Sequence, residues 1–204
     1  MIEYLGNETI FGKEPSKGEK KKMEIIQAAI ECFSSIGLEN TTYQSIAEKI
    51  ETRRAHVAYH FKEKELIFES SVRYILWTYQ KISLGHVKKA KSGREMLHLY
   101  VEAVFEWAKR YPEQVSVMLL LYYQCTLNEK LLTLHDELRS LGEQRIYYIL
   151  SEKVENFPKE KCSLFSKQIQ NLTSAAILDS FTTKSKGLDQ AKKETLEIID
   201  LLLK

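Results

Sequence analysis

The sequence predicts an all-α protein, with an N-terminal three-helix helix-turn-helix domain followed by a larger helical bundle domain. Only eight glycines and three prolines occur in 204 residues, about 5% where the average is near 12%. The tight turns that an all-β fold needs are therefore scarce. Apolar residues recur at helical three- and four-residue steps along most of the chain. The sequence contains no strand-like alternation of any length and no internal repeat.

Composition and charge narrow the class of protein further. With 44% hydrophobic and 28% charged residues, the chain predicts a globular fold rather than disorder. Its longest continuous apolar stretch, residues 117–123, is far shorter than the roughly 20 residues that span a bilayer. Residues 1–22 lack the pattern of a secretory signal, so we expect a cytoplasmic protein without a membrane partner. The three cysteines form no CxxC pair, and we expect buried, reduced thiols.

Residues 1–22 predict a flexible basic tail. They are polar and contain three glycines and one proline, and residues 13–22 hold five lysines against two glutamates. The net charge of the whole chain is only +2, so this local excess of positive charge stands out. It suits either a basic arm beside a DNA-binding module or a solvated terminus.

Three short helices are predicted between residues 23 and 64. The first carries an apolar face from Ile25 to Phe33 and ends at Gly37 as a C-cap. The second opens at Thr41, which has a capping-box spacing to Gln44. The third begins at Arg53, because Glu51 and Thr52 leave room only for a tight turn.

Longer helical patterns follow Lys64. One runs towards Gly85, and another opens at the capping-box pair Ser92 and Glu95. Pro112 suits the first turn of the next helix. A further helical stripe of apolar residues extends from Asn128 towards Pro158. Two last helices are expected over residues 163–183 and 188–204.

The helix-turn-helix spacing of residues 46–64 predicts a DNA-binding function. A short helix, a tight turn and a second short helix are how this motif presents its second helix to a major groove. Residues 53–64 carry four cations, Arg53, Arg54, Lys62 and Lys64, against the single anion Glu63. Arginine can grip the O6 and N7 atoms of guanine with two hydrogen bonds. A solvated charged helix is the alternative interpretation.

The same stretch resembles the tetracycline-repressor (TetR) family of bacterial transcriptional regulators. About forty-five residues match its spacing without insertion. The matching residues are Ile25, Ile26, Ala28, Ala29, Phe33, Gly37, Thr41, Thr42, Ile46, Ala47, His60, Phe61, Lys62, Lys64, Glu65 and Leu66. The resemblance implies a homodimer that binds a palindromic double-stranded operator, with a DNA-binding domain over residues 23–64 and an effector-binding and dimerisation domain over residues 65–204.

Four positions depart from the family pattern. Glu51 replaces the usual turn glycine, which predicts a strained left-handed residue at a cost on the order of 1 kcal/mol. Thr52 replaces an apolar residue, and Arg53 replaces a small capping residue, so Thr52 becomes the candidate N-cap. Ala58 stands in place of a phosphate-binding tyrosine, beside Tyr59. We expect these changes to alter DNA affinity and operator choice more than the fold.

The resemblance also implies roles for individual side chains. Thr42 and Gln44 would touch the DNA backbone or flanking bases, whereas Arg53, Arg54 and His56 would read base edges. Tyr59, His60 and Lys64 would hold phosphates, although His60 also suits a core position beside Phe61. His56 and His60, four residues apart, could instead share a zinc ion, but they lack nearby cysteines and the internal glutamate of HExxH.

The family implies a repressor that a small molecule releases from its operator, with the helix from Lys64 as the lever. We expect no catalysis, cofactor or metal, because the sequence has no GxSxG elbow and no glycine-rich phosphate loop. An all-helical enzyme acting on an apolar ligand and a helical protein-binding adaptor remain alternatives. Candidate residues for a pocket that takes an apolar or aromatic effector are Met118, Tyr122, His135 and Phe181.

The last two helices predict the dimer interface. The final helix carries two apolar stripes, and a monomer seldom exposes so much apolar surface. One stripe therefore needs a partner, unless both are buried within one subunit. The expected interface residues are Ile169, Leu172, Ala176, Leu188, Thr195, Ile198 and Leu202.

Overall fold

The computed structural model describes residues 16–204 of the chain. These residues form nine α-helices and no strand, which confirms the predicted all-α class. The helices are α1 (Lys17–Asn40), α2 (Tyr43–Lys49), α3 (Arg54–His60), α4 (Lys64–Val87), α5 (Gly93–Arg110), α6 (Pro112–Cys125), α7 (Glu129–Glu152), α8 (Lys159–Thr182) and α9 (Leu188–Leu202).

Helix α1 begins earlier than the sequence predicted. Ser16 is its N-cap, and a capping box joins Ser16 to Glu19: the Glu19 amide donates to Ser16 Oγ at 3.3 Å, and the Ser16 amide donates to Glu19 Oε2 at 2.7 Å. The two bonds satisfy amides that would otherwise lack partners at the helix start. Lys17 to Lys22 are therefore helical, and the prediction of a flexible tail is wrong for them; residues 1–15 lie outside the described part.

Gly37 interrupts α1 without ending it. Its φ of 80° and ψ of 167° are non-helical, and the chain then continues to Asn40. The predicted C-cap is thus a kink, made possible because glycine has no Cβ to clash at positive φ.

The chain forms two compact units, the first comprising residues 16–78 and Tyr111–Thr133. Within it α1 packs against α2 and α6, and α2 packs against α3. Phe33 and Phe68 meet edge to face with ring centroids 5.4 Å apart, and Gln27 Nε2 donates to Tyr74 Oη at 2.6 Å. Other buried members of this core are Ile25, Ile26, Ala29, Ile46, Val57, Ile67, Val115 and Leu121.

The second unit comprises Tyr79–Arg110 and Leu134–Lys204. Helices α8 and α9 pack together, and α5 packs on both. His98 Nε2 lies 3.0 Å from Asp200 Oδ1, and Arg94 Nη2 donates to the Leu203 carbonyl at 2.9 Å. Buried members of this core include Leu97, Val101, Ile146, Ile149, Ile169, Ile177 and Ile199.

These units do not divide the chain at residue 64, because α6 packs on α1 within the first unit. The division of the chain into DNA-binding and effector-binding domains at that residue concerns function and stays a prediction. Within residues 16–204, no helix combines the length and the apolar character needed to cross a bilayer.

Candidate nucleic-acid interface

Helices α2 and α3 form a helix-turn-helix whose first cap lies one residue later than predicted. Thr42 is the N-cap of α2, with Ser45 as its capping-box partner: the Ser45 amide donates to Thr42 Oγ1 at 3.1 Å, and the Thr42 amide donates to Ser45 Oγ at 2.9 Å. The predicted pair of Thr41 and Gln44 is wrong, because Thr41 is buried and its hydroxyl donates to the Gly37 carbonyl at 2.7 Å.

The turn between α2 and α3 is a Schellman motif with a glutamate in its left-handed position. Glu51 has a φ of 49°. The Thr52 amide donates to the Ala47 carbonyl at 2.9 Å, and the Glu51 amide donates to the Glu48 carbonyl at 3.3 Å. These are the two bonds of the motif, whose left-handed residue is usually glycine. The backbone of Glu51 therefore has the left-handed conformation that the sequence predicted.

We expect Glu51→Gly to stabilise the protein. A left-handed residue with a Cβ costs roughly 1–2 kcal/mol, and the added chain entropy of glycine in the unfolded state offsets about half of this. The net gain of ~0.5–1 kcal/mol should raise the melting temperature by about 1–4 °C for a chain of this size. Thermal unfolding followed by circular dichroism measures it.

Glu48→Gly is the matched control, because it makes the same replacement at an exposed helical position of α2. Glycine there should cost about 1 kcal/mol. Equal destabilisation by both variants would show that Glu51 is not strained.

Helix α3 is amphipathic across a single turn. Val57 is fully buried, and Phe61 at the C-cap is nearly so. The exposed residues of α3 and its N-cap are Ala55 and four predicted site residues, Arg53, Arg54, His56 and Tyr59. Packing through Val57 thus holds the short helix on the protein and turns its basic side chains outward.

Three ring-bearing residues of α3 lie together on this outer surface. The ring centroids of His56 and His60 are 5.1 Å apart, and those of Tyr59 and His60 are 5.3 Å apart. His56 Nδ1 also shares a hydrogen bond of 3.0 Å with Thr52 Oγ1. Thr52 therefore orients His56 and is not the predicted N-cap; Arg53 takes that position and makes no side-chain capping bond.

The basic side chains of the motif differ in the contacts that they make. The side chains of Arg53 and Arg54 make no hydrogen bond or ion pair with any residue in 16–204. Lys62 Nζ lies 5.8 Å from the centroid of the Tyr59 ring. Lys64 Nζ donates to the Leu38 carbonyl at 3.0 Å, and so caps the end of α1. The two arginines are thus the basic groups of α3 that are free to meet an anionic partner.

His60 links α3 to the basic start of α1. Burial lowers the pKa of His60, and the positive charges of His56, Lys22 and Lys21 lower it further. His60 is half-buried. A phosphate contact would need an exposed side chain, and the alternative core role would need a buried one, so its burial is intermediate between the two. The influence of Lys21 and Lys22 shows that the first turns of α1 contribute positive charge beside α3, a role that the sequence signalled only through its lysine run.

Some of the remaining predicted site residues of the motif make contacts within the chain. Thr42 and Gln44 are exposed at the start of α2. Thr42 is occupied in capping, and Gln44 Nε2 donates to Glu48 Oε1 at 2.7 Å. Ala58 is half-buried, whereas Tyr59 points into solvent. Within residues 16–204, no group of three or more His, Cys, Asp or Glu side chains is placed to hold a metal.

The predicted effector residues do not fall in one unit. Met118 and Tyr122 lie on α6 in the first unit, and His135 on α7 and Phe181 on α8 belong to the second. His135 is buried, and this burial lowers its pKa, with Arg139 adding to the effect. The four residues stay a prediction as a ligand site.

The predicted dimer residues divide by exposure. Ile169 and Thr195 are buried within the chain itself, so they cannot face a partner. Leu172, Ala176, Leu188 and Leu202 are half-buried, and Ile198 is exposed. Leu164 and Leu201, which the sequence did not single out, are also exposed.

Comparison with known proteins gives consistent matches. Residues 25–70 match the family described as bacterial regulatory proteins, tetR family. The biofilm operon icaADBC HTH-type negative transcriptional regulator IcaR of Staphylococcus aureus (strain Newman) is 24% identical over 194 residues, which cover 90% of this chain and 99% of that protein. The probable acrEF/envCD operon repressor of Escherichia coli (strain K12) is 25% identical over 119 residues, covering 55% and 52%.

Solved structures share the fold. A proposed transcriptional regulator from Saccharomonospora viridis in complex with choline has a TM-score of 0.77 at 18% identity, covering 89% of this chain and 96% of that one. The fatty acid degradation regulator FadR from Bacillus halodurans has a TM-score of 0.76 at 16% identity, covering 91% and 96%.

Proposed function

Because this chain belongs to the tetR family of bacterial regulatory proteins and is a DNA-binding transcriptional regulator, we propose that it acts as a homodimeric repressor. A small molecule would release this repressor from its operator. The observation that carries the proposal is the outer surface of α3, where Arg53 and Arg54 are exposed and unpaired among the described residues. Buried Val57 holds that surface in place.

Direct readout of bases would come from the N-terminal end of α3. Arg53, Arg54 and His56 would contact base edges in the major groove, as helix-turn-helix proteins do. Tyr59, His60 and Lys64 would contact phosphates, with Thr42 and Gln44 beside the backbone of the same half-site. Lys64 would have to release or share its bonds to the end of α1 for this purpose.

Dimerisation would bring two such helices to a palindromic operator. Helix α9 buries Ala191, Thr195 and Ile199 against its own chain, yet leaves Ile198 and Leu201 exposed. Leu164 on α8 is exposed as well. Apolar surface that the single chain leaves uncovered on α8 and α9 supports a symmetric contact between these helices and those of a second copy.

Release by an effector would need a ligand that prefers one conformation of the dimer. We assign effector binding and dimerisation to residues 65–204, with α4 as the connection, because it begins directly after the helix-turn-helix and extends to Val87. The choline complex of the S. viridis protein supports a small-molecule effector for this fold.

The salt dependence of DNA binding tests this proposal. Each phosphate contact adds about 0.9 to the slope of log affinity against log salt. Replacing Lys20, Lys21 and Lys22 by glutamine should weaken binding to operator and random duplexes alike. The slope should fall by roughly 0.9 for each of these lysines that neutralises a phosphate in the wild-type complex. Fluorescence anisotropy over a salt series measures both the affinity and its slope.

Lys88, Lys89 and Lys91 are the control, because they are three exposed lysines that lie in the second unit. Their replacement by glutamine makes the same change in net charge. An equal decrease of slope in both triple variants would remove the first turns of α1 from the interface. No binding of the wild-type protein to any duplex would overturn the regulator proposal.

A further inference from the structure

Arg145 is a buried cation that has no matching anion among residues 16–204. It lies on α7 in the second unit, with 7% of its surface exposed. Its Nε and Nη1 atoms are fully buried and have no hydrogen-bond partner among residues 16–204. A guanidinium cannot escape this cost by losing its proton, because arginine stays protonated in proteins. Taking such a charge out of water is strongly unfavourable unless it is paired.

A neutral polar group lies near this charge. Tyr79 on α4 is near enough to feel the charge of Arg145, and it lies beside Ser83 and Tyr100. Burial raises the pKa of Tyr79 well above its usual range, with a smaller effect from Tyr100. The phenol therefore cannot supply a negative charge. Its hydroxyl is buried, and no described neighbour meets it in good hydrogen-bond geometry.

A third unpaired group lies on α8. Gly142 precedes Arg145 by one turn on the same face of α7, and long helical side chains lean back towards the preceding turn. A methyl group at position 142 would lie 2.9 Å from Gln170 Nε2, so glycine leaves the space that the amide occupies. Gln170 Oε1 is buried and has no hydrogen-bond partner among residues 16–204.

We propose that Arg145, Tyr79 and Gln170 bind the carboxylate of a small apolar acid, which is the effector of this regulator. A single buried positive charge calls for a single negative charge, which favours a carboxylate over a doubly charged phosphate. Aliphatic side chains of the same unit, Leu97 and Val101 on α5 and Ile149 on α7, are buried and suit an apolar body. The effector role rests on the proposed regulator function, whereas the binding of the acid does not.

Thermal shift of the full chain without DNA tests the site. Sodium benzoate and sodium octanoate are the probes, with benzyl alcohol, octanol and sodium phosphate at matched ionic strength as comparisons. The two carboxylates should raise the wild-type melting temperature, and the alcohols and phosphate should not. Arg145→Met should weaken carboxylate binding, measured by calorimetry, by roughly 10- to 150-fold, as expected for a hydrogen bond to a charged group.

Two further measurements separate this role from a structural one. Arg139→Met removes a charge from the same helix, where Arg139 Nη2 donates to Asn171 Oδ1 at 2.5 Å, and it should leave carboxylate binding unchanged. Without ligand, Arg145→Met should melt no lower than the wild type, because an unmatched buried charge is being replaced by an apolar side chain of similar volume.

The proposal would be overturned if the melting temperature of the ligand-free Arg145→Met protein fell by several degrees and the carboxylates did not raise that of the wild type. Arg145 would then be a core arginine bridged by buried water. Equal shifts by benzoate and benzyl alcohol would also overturn it. Binding of the acids to the protein alone, without any effect on duplex binding, would retain the site and remove its role as the effector site. Failure of all duplex binding leaves these readouts intact.

Discussion

Arg53→Ala and Arg54→Ala should each lose most of the preference for operator over random duplex DNA. Each bidentate contact of an arginine with guanine contributes about 1–3 kcal/mol of base discrimination, which corresponds to roughly 5- to 150-fold in relative affinity. Both side chains are exposed and have no competing partner within residues 16–204. Electrophoretic titration with operator and scrambled duplexes measures the ratio of affinities.

Lys62→Ala is the control for this change. Lys62 is exposed just beyond α3, and its ammonium lies beside the Tyr59 ring. If Lys62 contacts a phosphate, its removal should weaken binding to both duplexes equally and leave the ratio of their affinities unchanged. An unchanged ratio in both arginine variants would show that these side chains do not read bases.

Leu201→Arg should convert the proposed dimer to a folded monomer with much weaker operator binding. Leu201 is 63% exposed in the single chain, so an arginine there costs the fold little, whereas two copies would bring unpaired charges into an apolar contact. A dimer gains from the effective concentration of its second recognition helix, which typically multiplies affinity by about 10² to 10⁴. We expect the monomer to bind the operator more weakly by a factor of this order.

Sedimentation velocity gives the mass, and far-ultraviolet circular dichroism reports whether the variant stays helical. Leu127→Arg is the matched control, because Leu127 is 66% exposed but lies outside α8 and α9. It should remain dimeric and bind the operator normally. A helical, dimeric Leu201→Arg protein would place the interface elsewhere.

The helix-turn-helix was predictable because its signals are local. The spacing of apolar residues indicated α2 and α3, with Ile46, Ala47 and Val57 in the core. The left-handed residue at Glu51 followed from the family resemblance, which places a turn glycine there, and its φ of 49° agrees. Caps were less certain: serine and threonine lie at adjacent positions, so Thr42 with Ser45 competed with the predicted pair of Thr41 and Gln44.

The start of α1 shows how one local signal can outweigh another. Gly18 and a run of lysines favoured a tail, yet the spacing of Ser16 and Glu19 supplies a capping box. Two satisfied amides and the good helix propensity of lysine outweigh one glycine. Lys20 to Lys22 are therefore held on a helix and not on a flexible arm.

By itself the sequence determined the helical class, the positions of most helices, and the basic outer surface of α3. Tertiary structure alone decided which stripe of α9 is buried, since Thr195 and Ile198 are equally well spaced and only packing on α5 and α8 separates them. It also decided that Lys64 caps α1 and that Arg145 is buried without an anion from the described part of the chain. Periodicity states that a helix has an apolar face, but burial depends on neighbours distant in sequence, and no local pattern encodes them.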